Sequence, residues 1–207
     1  MGMAWPYWVR KTHPTINKQH GNVLMSKYRR ATIKGGTYFF TVVTFRRQTF
    51  LCDENVRNAL REGIRNTRIT HPFTIDGWVL LPDHLHCIWT LPPNDAAFGV
   101  RWAMIKRAVT KKCAPDLYRD DWMNESKRRR KESTIWQRRF WEHLIRDDRD
   151  YEKHMDYIHY NPVKHGFVKS VIEWPYSTFH RYMRQGIYGA DWAGVNARRE
   201  DENFGEP

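Results

Sequence analysis

The chain is poor in cysteine, lacks long apolar runs and has fewer acidic than basic residues. Its three cysteines, Cys52, Cys87 and Cys113, lie far apart in the sequence and form no CxxC pair. This spacing excludes a zinc knuckle and a disulfide framework, and it fits a reducing cytoplasm. No apolar run approaches the roughly 20 residues that cross a bilayer. The N-terminus lacks the apolar segment of a signal peptide.

The charge balance and the aromatic content indicate a polyanionic partner. The 207 residues include 35 Lys and Arg against 23 Asp and Glu, which gives a net charge of +12, and there are ten each of Trp, Tyr and Phe. Nucleic acids suit such a surface, because bases stack on aromatic rings and phosphates pair with cations. The same aromatic residues also serve a hydrophobic core. The length fits one domain with tails.

Hydrophobic periodicity divides the chain into three parts. Residues 1–24 show no period, contain two prolines and precede Met25, so we expect an N-terminal extension outside the core. Residues 25–185 carry the regular patterns and form the predicted domain. Residues 186–207 are polar and are expected to form a C-terminal tail.

Alternating apolar residues and turn signals predict the elements within the domain. Their order is strand, helix, strand, strand, helix, strand, helix, which is typical of an α+β fold with a ferredoxin-like or RRM-like antiparallel sheet. The basic run at 127–131 is expected to be a solvated loop, and the aromatic segment 174–183 to pack back on the domain. The predicted elements are strands at 38–45, at about 73–81 and, after the turn at Pro82 and Asp83, in the histidine-bearing segment up to residue 92, with another in the first half of 135–145, and helices at about 54–68 behind Asp53, at 98–112 and after Asp147 or Asp148.

The segment LLPDHLHCIWTLP, residues 80–92, places two histidines in a strand that is otherwise apolar. His84 and His86 project from the same face, because side chains alternate along a strand. Burying two imidazoles needs polar partners, and a shared divalent metal would supply one. Asp83 either orients a histidine or simply forms the turn with Pro82, and its position favours the turn.

The segment YEKHMDYIHYNPVKHGFV, residues 151–168, predicts a helix with Tyr157 and Asn161 one turn apart on the same side. Pro162 is expected to stop this helix and leave Asn161 at its end. A phenol and an amide facing two imidazoles could form a metal site with a nucleophile beside it. Taken alone, the helix favours a simpler interpretation, in which Tyr157 is a packing residue and Asn161 a C-cap.

Several long blocks of the sequence resemble a known family. PDHLHCIWTLP resembles the HUH motif (histidine, hydrophobic residue, histidine) of single-tyrosine transposases. YRRATIKGGTYFFTVVT, WQRRFWEHLIRDDRDYEKHMDYIHYNPVKHGFV and WPYSTFHR are similar to the REP-associated tyrosine transposases. The resemblance covers roughly residues 26–185, and it is specific because long blocks match in order.

This resemblance implies the HUH endonuclease fold and an activity that cleaves and rejoins single-stranded DNA. Tyr157 would be the catalytic nucleophile and would form a 5′-phosphotyrosine. His84, His86 and Asn161 would bind a divalent ion, Mg²⁺ or Mn²⁺. The substrates would be the DNA hairpins of repetitive extragenic palindromes (REP elements). The expected location is the bacterial cytoplasm, at the nucleoid, without membrane contact, and a monomer is compatible with this activity.

The remaining assignments leave alternatives open. Tyr151 and Tyr160 are rival nucleophiles, although Tyr151 lies on the apolar stripe and Tyr160 faces away from Asn161. A non-catalytic RRM-like module that recognises hairpins is the main competing hypothesis, and a hydrolase that activates water is another. Candidate DNA-binding residues are basic and clustered: Arg29, Arg30, Lys106, Arg107, Arg128, Arg129, Arg130, Arg138 and Arg139.

Overall fold

The computed structural model describes residues 33–192. The expected N-terminal extension at 1–24, the candidate DNA contacts Arg29 and Arg30, and residues 193–207 of the expected tail lie outside the described residues.

Four antiparallel strands form the sheet, in the spatial order β2-β3-β1-β4. They are β1 (Thr37–Val43), β2 (Thr74–Leu80), β3 (His84–Thr90) and β4 (Trp141–Leu144). β1 is buried along its whole length, because helices cover both faces of the sheet. The predicted hairpin of β2 and β3 is confirmed, with Leu80 opposite Leu85 across the turn. The sequence-based prediction of an α+β antiparallel fold is therefore correct.

Helices α1 (Glu54–Thr70) and α2 (Phe98–Leu117) cover one face of the sheet. The core beneath them is aromatic, and Trp89 of β3 stacks on Trp102 of α2 with ring centroids 4.2 Å apart. Such a stack adds about 0.5–1.5 kcal/mol to the burial of its surface. α1 begins after Asp53 as predicted, although the Asp53 side chain makes no capping hydrogen bond.

Helices α4 (Asp148–Lys164) and α5 (Phe179–Arg184) cover the opposite face, where Phe39, Ile88 and Met155 form a second core. Asp147 caps α4 as predicted, since its carboxylate accepts a hydrogen bond from the Asp150 amide at 2.8 Å. The aromatic segment after α4 packs back on the sheet, and the Leu80 amide donates to the Tyr176 carbonyl at 2.9 Å.

The fourth strand lies later in the sequence than predicted. β4 occupies the second half of 135–145, and the first half makes a single bridge between Trp136 and Thr44. The apolar residues Ile135 and Trp136 are buried in the first core instead of continuing the ladder. The basic run is also different from the prediction, because most of it lies in the short helix α3 (Glu125–Arg129) and not in a loop.

Pro162 does not stop α4, which continues to Lys164. A proline inside a helix removes one backbone hydrogen bond, but the helix resumes when packing holds the next turn in place. The His165 amide donates to the Asn161 carbonyl at 3.0 Å, and Gly166 ends the helix with φ +72°. Asn161 therefore lies within the last helical turns and is fully buried.

Two further predictions concern cysteines and membranes. Cys52, Cys87 and Cys113 are all free thiols, as their spacing predicted. Among residues 33–192, no helix combines the length and apolarity needed to cross a membrane.

Candidate active site

The start of β3 and the end of α4 bring the predicted site residues together. His84 and His86 project from β3 toward α4, and the ring of His86 lies 5.1 Å from the ring of Tyr157. One turn further along α4 is Asn161, and the ring of His165 lies 5.1 Å from that of His84. Residues four and eight positions after Tyr157 share its helix face, which explains this convergence.

Asp83 fixes the orientation of the first histidine. Its carboxylate lies 2.7 Å from Nδ1 of His84, and Arg47 forms an ion pair with it at 3.2 Å. Burial acts to raise the pKa of Asp83, but the hydrogen bond and charge of His84 together with Arg47 hold the pKa below its usual value. Asp83 thus both forms the turn and binds His84, so the preference for a turn alone was wrong.

The other nitrogen of His84 is suited to a metal. With Nδ1 held by Asp83, the lone pair lies on Nε2, which is the usual arrangement of a metal-binding imidazole. This Nε2 is buried and has no hydrogen-bond partner among residues 33–192. A buried polar atom of this kind is usually paired, and a divalent cation is one partner that lies beyond residues 33–192.

The second histidine is held from β1. The hydroxyl of Thr41 lies 2.9 Å from Nδ1 of His86, and Thr41 is the residue opposite His86 in the ladder. The ring of Phe39 stacks on His86 at 5.5 Å. If Nδ1 donates to the threonine hydroxyl, Nε2 of His86 carries a lone pair, as Nε2 of His84 does.

Tyr157 is the tyrosine that lies against these histidines. Its side chain is 6% exposed and packs on His86 and on Phe39, whose ring centroid is 6.0 Å away. The ammonium group of Lys164, two turns later on α4, lies 4.9 Å from the centroid of the Tyr157 ring. A cation at this distance favours negative charge on the phenol.

The rival tyrosines pack in the second core. Tyr151 is half-buried, and burial followed by the charges of Tyr182 and Asp76 raises its pKa, which makes it a poorer nucleophile. Tyr160 is also half-buried against this core. Tyr157 belongs to the same core, but its ring also contacts that of His86, which favours Tyr157 over both rivals.

Several residues of this site were missed by reading the sequence. Lys164 and His165 belong to the same helix face as Tyr157, but the expectation that Pro162 ends the helix excluded them. Thr41 gave no sequence signal, because its role depends on the register between β1 and β3. The helical spacing of residues 157, 161 and 165 was the signal that could have identified His165.

A second polar cluster joins β4 to α4 and was also not predicted. His143, Asp150 and His154 place one ligand-type atom each within 4.8 Å of one another. Burial acts to raise the pKa of Asp150, but hydrogen bonds from His143, His154 and the Arg146 amide hold the pKa far below its usual value. The cluster attaches the start of α4 to the sheet, and its donor set is also one that a metal ion accepts.

The predicted DNA-binding residues have different surroundings. The Lys106 ammonium donates to the Gln137 carbonyl at 3.0 Å and is half-buried. Arg128 pairs with Asp120 at 2.8 Å. Arg130 and Arg138 both pair with Glu132, at 3.5 and 3.3 Å. The predicted arginines within the described residues are all exposed: Arg107, Arg128, Arg129, Arg130, Arg138 and Arg139.

Known proteins resemble this chain over most of its length. A REP-associated tyrosine transposase from Escherichia coli (strain K12) is 47% identical over 170 residues, which are 82% of this chain and 92% of that protein. A relative from Haemophilus influenzae, named for the same transposase, is 45% identical over 171 residues, 82% of this chain and 94% of its own. No family model matches the sequence.

A solved structure is similar in fold as well as in sequence. It is that of a REP-associated tyrosine transposase bound to a REP hairpin, with a TM-score of 0.69 and 47% identity over 82% of this chain and 92% of the solved one. Its fold confirms the architecture predicted from the sequence.

Proposed function

The chain belongs to the REP-associated tyrosine transposases, and from this premise we propose that it cleaves and rejoins single-stranded DNA beside REP-type hairpins through Tyr157. The observation that carries the proposal is the contact between Tyr157 and the histidine pair, with ring centroids 5.1 Å apart. The three side chains come from two elements and share one buried face. Family membership makes a non-catalytic RRM-like module the weaker hypothesis.

The chemistry exchanges one phosphodiester for another. The phenol of Tyr157 gives up its proton as its oxygen attacks the scissile phosphorus. The bond from phosphorus to the 3′ oxygen breaks, and the leaving oxygen takes up one proton, so the proton count is unchanged. The product is a 5′-phosphotyrosine and a free 3′-hydroxyl. Attack by a 3′-hydroxyl on this linkage reverses the step and restores Tyr157, so rejoining needs no ATP.

One neighbouring cation favours nucleophilic attack by the phenol. Free tyrosine has a pKa near 10, so its anion is scarce at neutral pH. Lys164, with its ammonium 4.9 Å from the ring centroid, offsets the developing negative charge. Burial of the ring limits its rotation, so less freedom is lost when the oxygen aligns with a phosphate.

His84, His86 and Asn161 are the residues that would hold a divalent cation, Mg²⁺ or Mn²⁺. The buried Nε2 of His84 and the support of its ring by Asp83 fit this role. When bound, such an ion supplies positive charge next to the scissile phosphate. Two imidazoles and an amide carry no negative charge, so the site remains attractive to DNA.

The substrate follows from the relative. The solved structure with 47% identity was bound to a REP hairpin, and the net charge of +12 suits a DNA partner. We therefore propose a hairpin with a flanking single strand as the substrate.

The test is formation of a covalent protein–DNA adduct. We expect the wild type, incubated with Mn²⁺ and a labelled hairpin that carries a single-stranded flank, to yield a protein-linked band on a denaturing gel. Tyr157→Phe should yield none and still bind the DNA, because only the hydroxyl is lost. Tyr160→Phe is the matched control and should form the adduct.

Two results would contradict the proposal. An adduct formed by Tyr157→Phe would assign the nucleophile to another residue. Cleavage by the wild type without any adduct would favour a hydrolase that activates water.

A further inference from the structure

A row of aromatic side chains leads away from the histidine pair along the surface. The ring of His165, which contacts His84, lies 6.0 Å from the ring of Phe167, and Phe167 stacks on Trp174 at 5.5 Å with an interplanar angle of 29°. Trp174 in turn meets Tyr176 at 5.6 Å. We call His165, Phe167, Trp174 and Tyr176 the aromatic row.

The row ends at a groove lined by four arginines. The guanidinium of Arg57 lies over the ring of Tyr176, 4.6 Å from its centroid. Arg57 and Tyr176 both line a groove of about 570 Å³ between α1, β2 and the segment before α5. Arg61, Arg68 and Arg181 line it as well, and its described lining includes no acidic residue. We call it the arginine groove.

The hydrophobic cores account for Trp174 and Tyr176, which pack partly against them, but not for Phe167. Phe167 is 44% exposed, although a phenylalanine of this size is usually buried. It follows Gly166, whose φ of +72° turns the chain out of α4. An exposed aromatic ring beside a catalytic site, continued by other rings and then by arginines, matches the surface that single strands use, with bases on rings and phosphates on cations.

We propose that the aromatic row and the arginine groove form a track for the single-stranded DNA that flanks the hairpin. The strand would pass from the phosphate at His84 and Tyr157, stack a base on Phe167, and place its phosphates against the arginines of α1. This inference rests on the proposed function, because it names the part of the substrate that this surface binds.

The size and position of the groove favour a single strand over a duplex. A volume of about 570 Å³ is that of a small-molecule pocket, so it admits nucleotides one at a time. The neighbouring edge of β2 is already covered, since Trp78 exchanges backbone and side-chain hydrogen bonds with Thr178. Strand addition by a peptide at this edge is therefore blocked.

The test measures binding of the full-length chain to three labelled DNAs by fluorescence anisotropy. They are a hairpin with a single-stranded flank, the same hairpin without it, and the flank alone. Phe167→Ala should weaken binding of the two DNAs that contain the flank about 5-fold or more, the loss expected for one stacked base. The hairpin without a flank should bind within about 2-fold of wild type, because it places no base on this ring.

A second variant tests the arginine groove. Arg61 is exposed and donates a hydrogen bond to Asn58 on its own helix, so its loss should not disturb the fold. Arg61→Ala should weaken binding of the flank and lower the salt dependence, as the slope of log K against log salt, by about 1. Arg65→Ala on the same helix, outside the groove lining, and Val100→Ala, an exposed apolar residue on α2, are matched controls that should change neither.

The outcomes separate this inference from the proposed function. Equal weakening of all three DNAs, or no effect of Phe167→Ala, would overturn the track. The track would also be overturned if polyglutamate at matched charge displaced the flank and Phe167→Ala bound the flank as tightly as the wild type. That combination indicates a general anion-binding surface. If the wild type makes no covalent adduct but shows the expected binding pattern, the assignment of Tyr157 as nucleophile is wrong and the track is supported.

Discussion

At the scale of single residues, the contact between Asp83 and His84 determines which ring nitrogen is available for a metal. The carboxylate lies 2.7 Å from Nδ1, and the arginine that pairs with it, Arg47, has φ 56°, a conformation unfavourable for a residue with a side chain. A strained backbone next to a site persists because neighbouring contacts hold it. We infer that the ion pair of Arg47 with Asp83 helps to hold the His84 ring in its orientation.

The first prediction follows from this contact. Asp83→Asn keeps the turn but removes the negative charge that supports the imidazole, so Mn²⁺ affinity should fall about 10- to 100-fold. Isothermal titration calorimetry without DNA measures this directly. Asp53→Asn, an exposed substitution at the start of α1, is the control. Unchanged Mn²⁺ affinity in Asp83→Asn would show that the Asp83 carboxylate does not strengthen metal binding by His84.

The second prediction concerns the ligands themselves. His84→Ala and His86→Ala should each abolish adduct formation and reduce Mn²⁺ binding below detection, because two ligands remain of three. Chelation of the wild type with EDTA should have the same effect on the adduct. Full adduct formation in excess EDTA would remove the metal from the proposal.

The spacing of His84 and His86 and the helical position of Tyr157 could be predicted from the sequence, because each depends on the period of one element. The residues that hold these side chains in place could not be predicted in this way. Thr41 reaches His86 across a strand pair and His165 reaches His84 across a helix–sheet contact, and both depend on packing between distant segments.

At the scale of elements, α4 carries the proposed nucleophile and also a half-buried carboxylate, that of Asp156. Burial raises the pKa of Asp156 to about 6, although a hydrogen bond from the Tyr188 hydroxyl, at 2.9 Å, opposes the shift. The folded protein therefore keeps a proton on Asp156 at pH values where the unfolded chain has released it.

The third prediction is the pH dependence of stability that results. Between about pH 4 and about pH 6 the folded state binds the proton and the unfolded state does not, so the free energy of unfolding falls as pH rises and then levels. Asp156→Asn, which still accepts from Tyr188, should remove this fall and add about 1–2 kcal/mol at pH 8 but little at pH 4. Urea unfolding at both pH values measures the difference. Asp116→Asn, exposed on α2, should show no such pH dependence.

Element boundaries were predicted well where one local rule applied and poorly where two competed. The hairpin of β2 and β3 and the cap of α4 at Asp147 depend on local turn and capping chemistry, and both were correct. Pro162 was expected to end α4, but the packing of Ile158 and Asn161 against the sheet maintains the helix beyond it. A proline inside a helix costs about 3 kcal/mol, and tertiary packing of the neighbouring turns can offset this cost.

At the scale of the whole molecule, the charge of +12 governs how the protein meets its substrate. Opposite charge steers DNA to the protein from a distance, and each phosphate contact releases counterions on binding. Affinity for DNA should therefore fall steeply with salt, whatever the sequence.

The fourth prediction is that the order of DNA preferences survives this salt effect. A hairpin with a single-stranded flank should bind tighter than blunt duplex at every salt concentration, because stacking and the active-site cleft depend less on salt than phosphate contacts do. Competition anisotropy at 50 and 200 mM NaCl measures both affinities. Equal affinity for the two DNAs at either concentration would indicate a general basic DNA binder.

The order of the strands determines how much of the chain must fold before the proposed cleavage of DNA is possible. β1 lies between β3, which carries the histidines, and β4, which leads into the tyrosine helix. Some seventy residues separate His86 from Tyr157 in the sequence, and their meeting requires both sides of β1 to be paired. A nascent chain that has not yet formed β4 and α4 cannot place Tyr157 against the histidines. Under the proposed function, the ability to cleave DNA therefore depends on the complete four-stranded sheet.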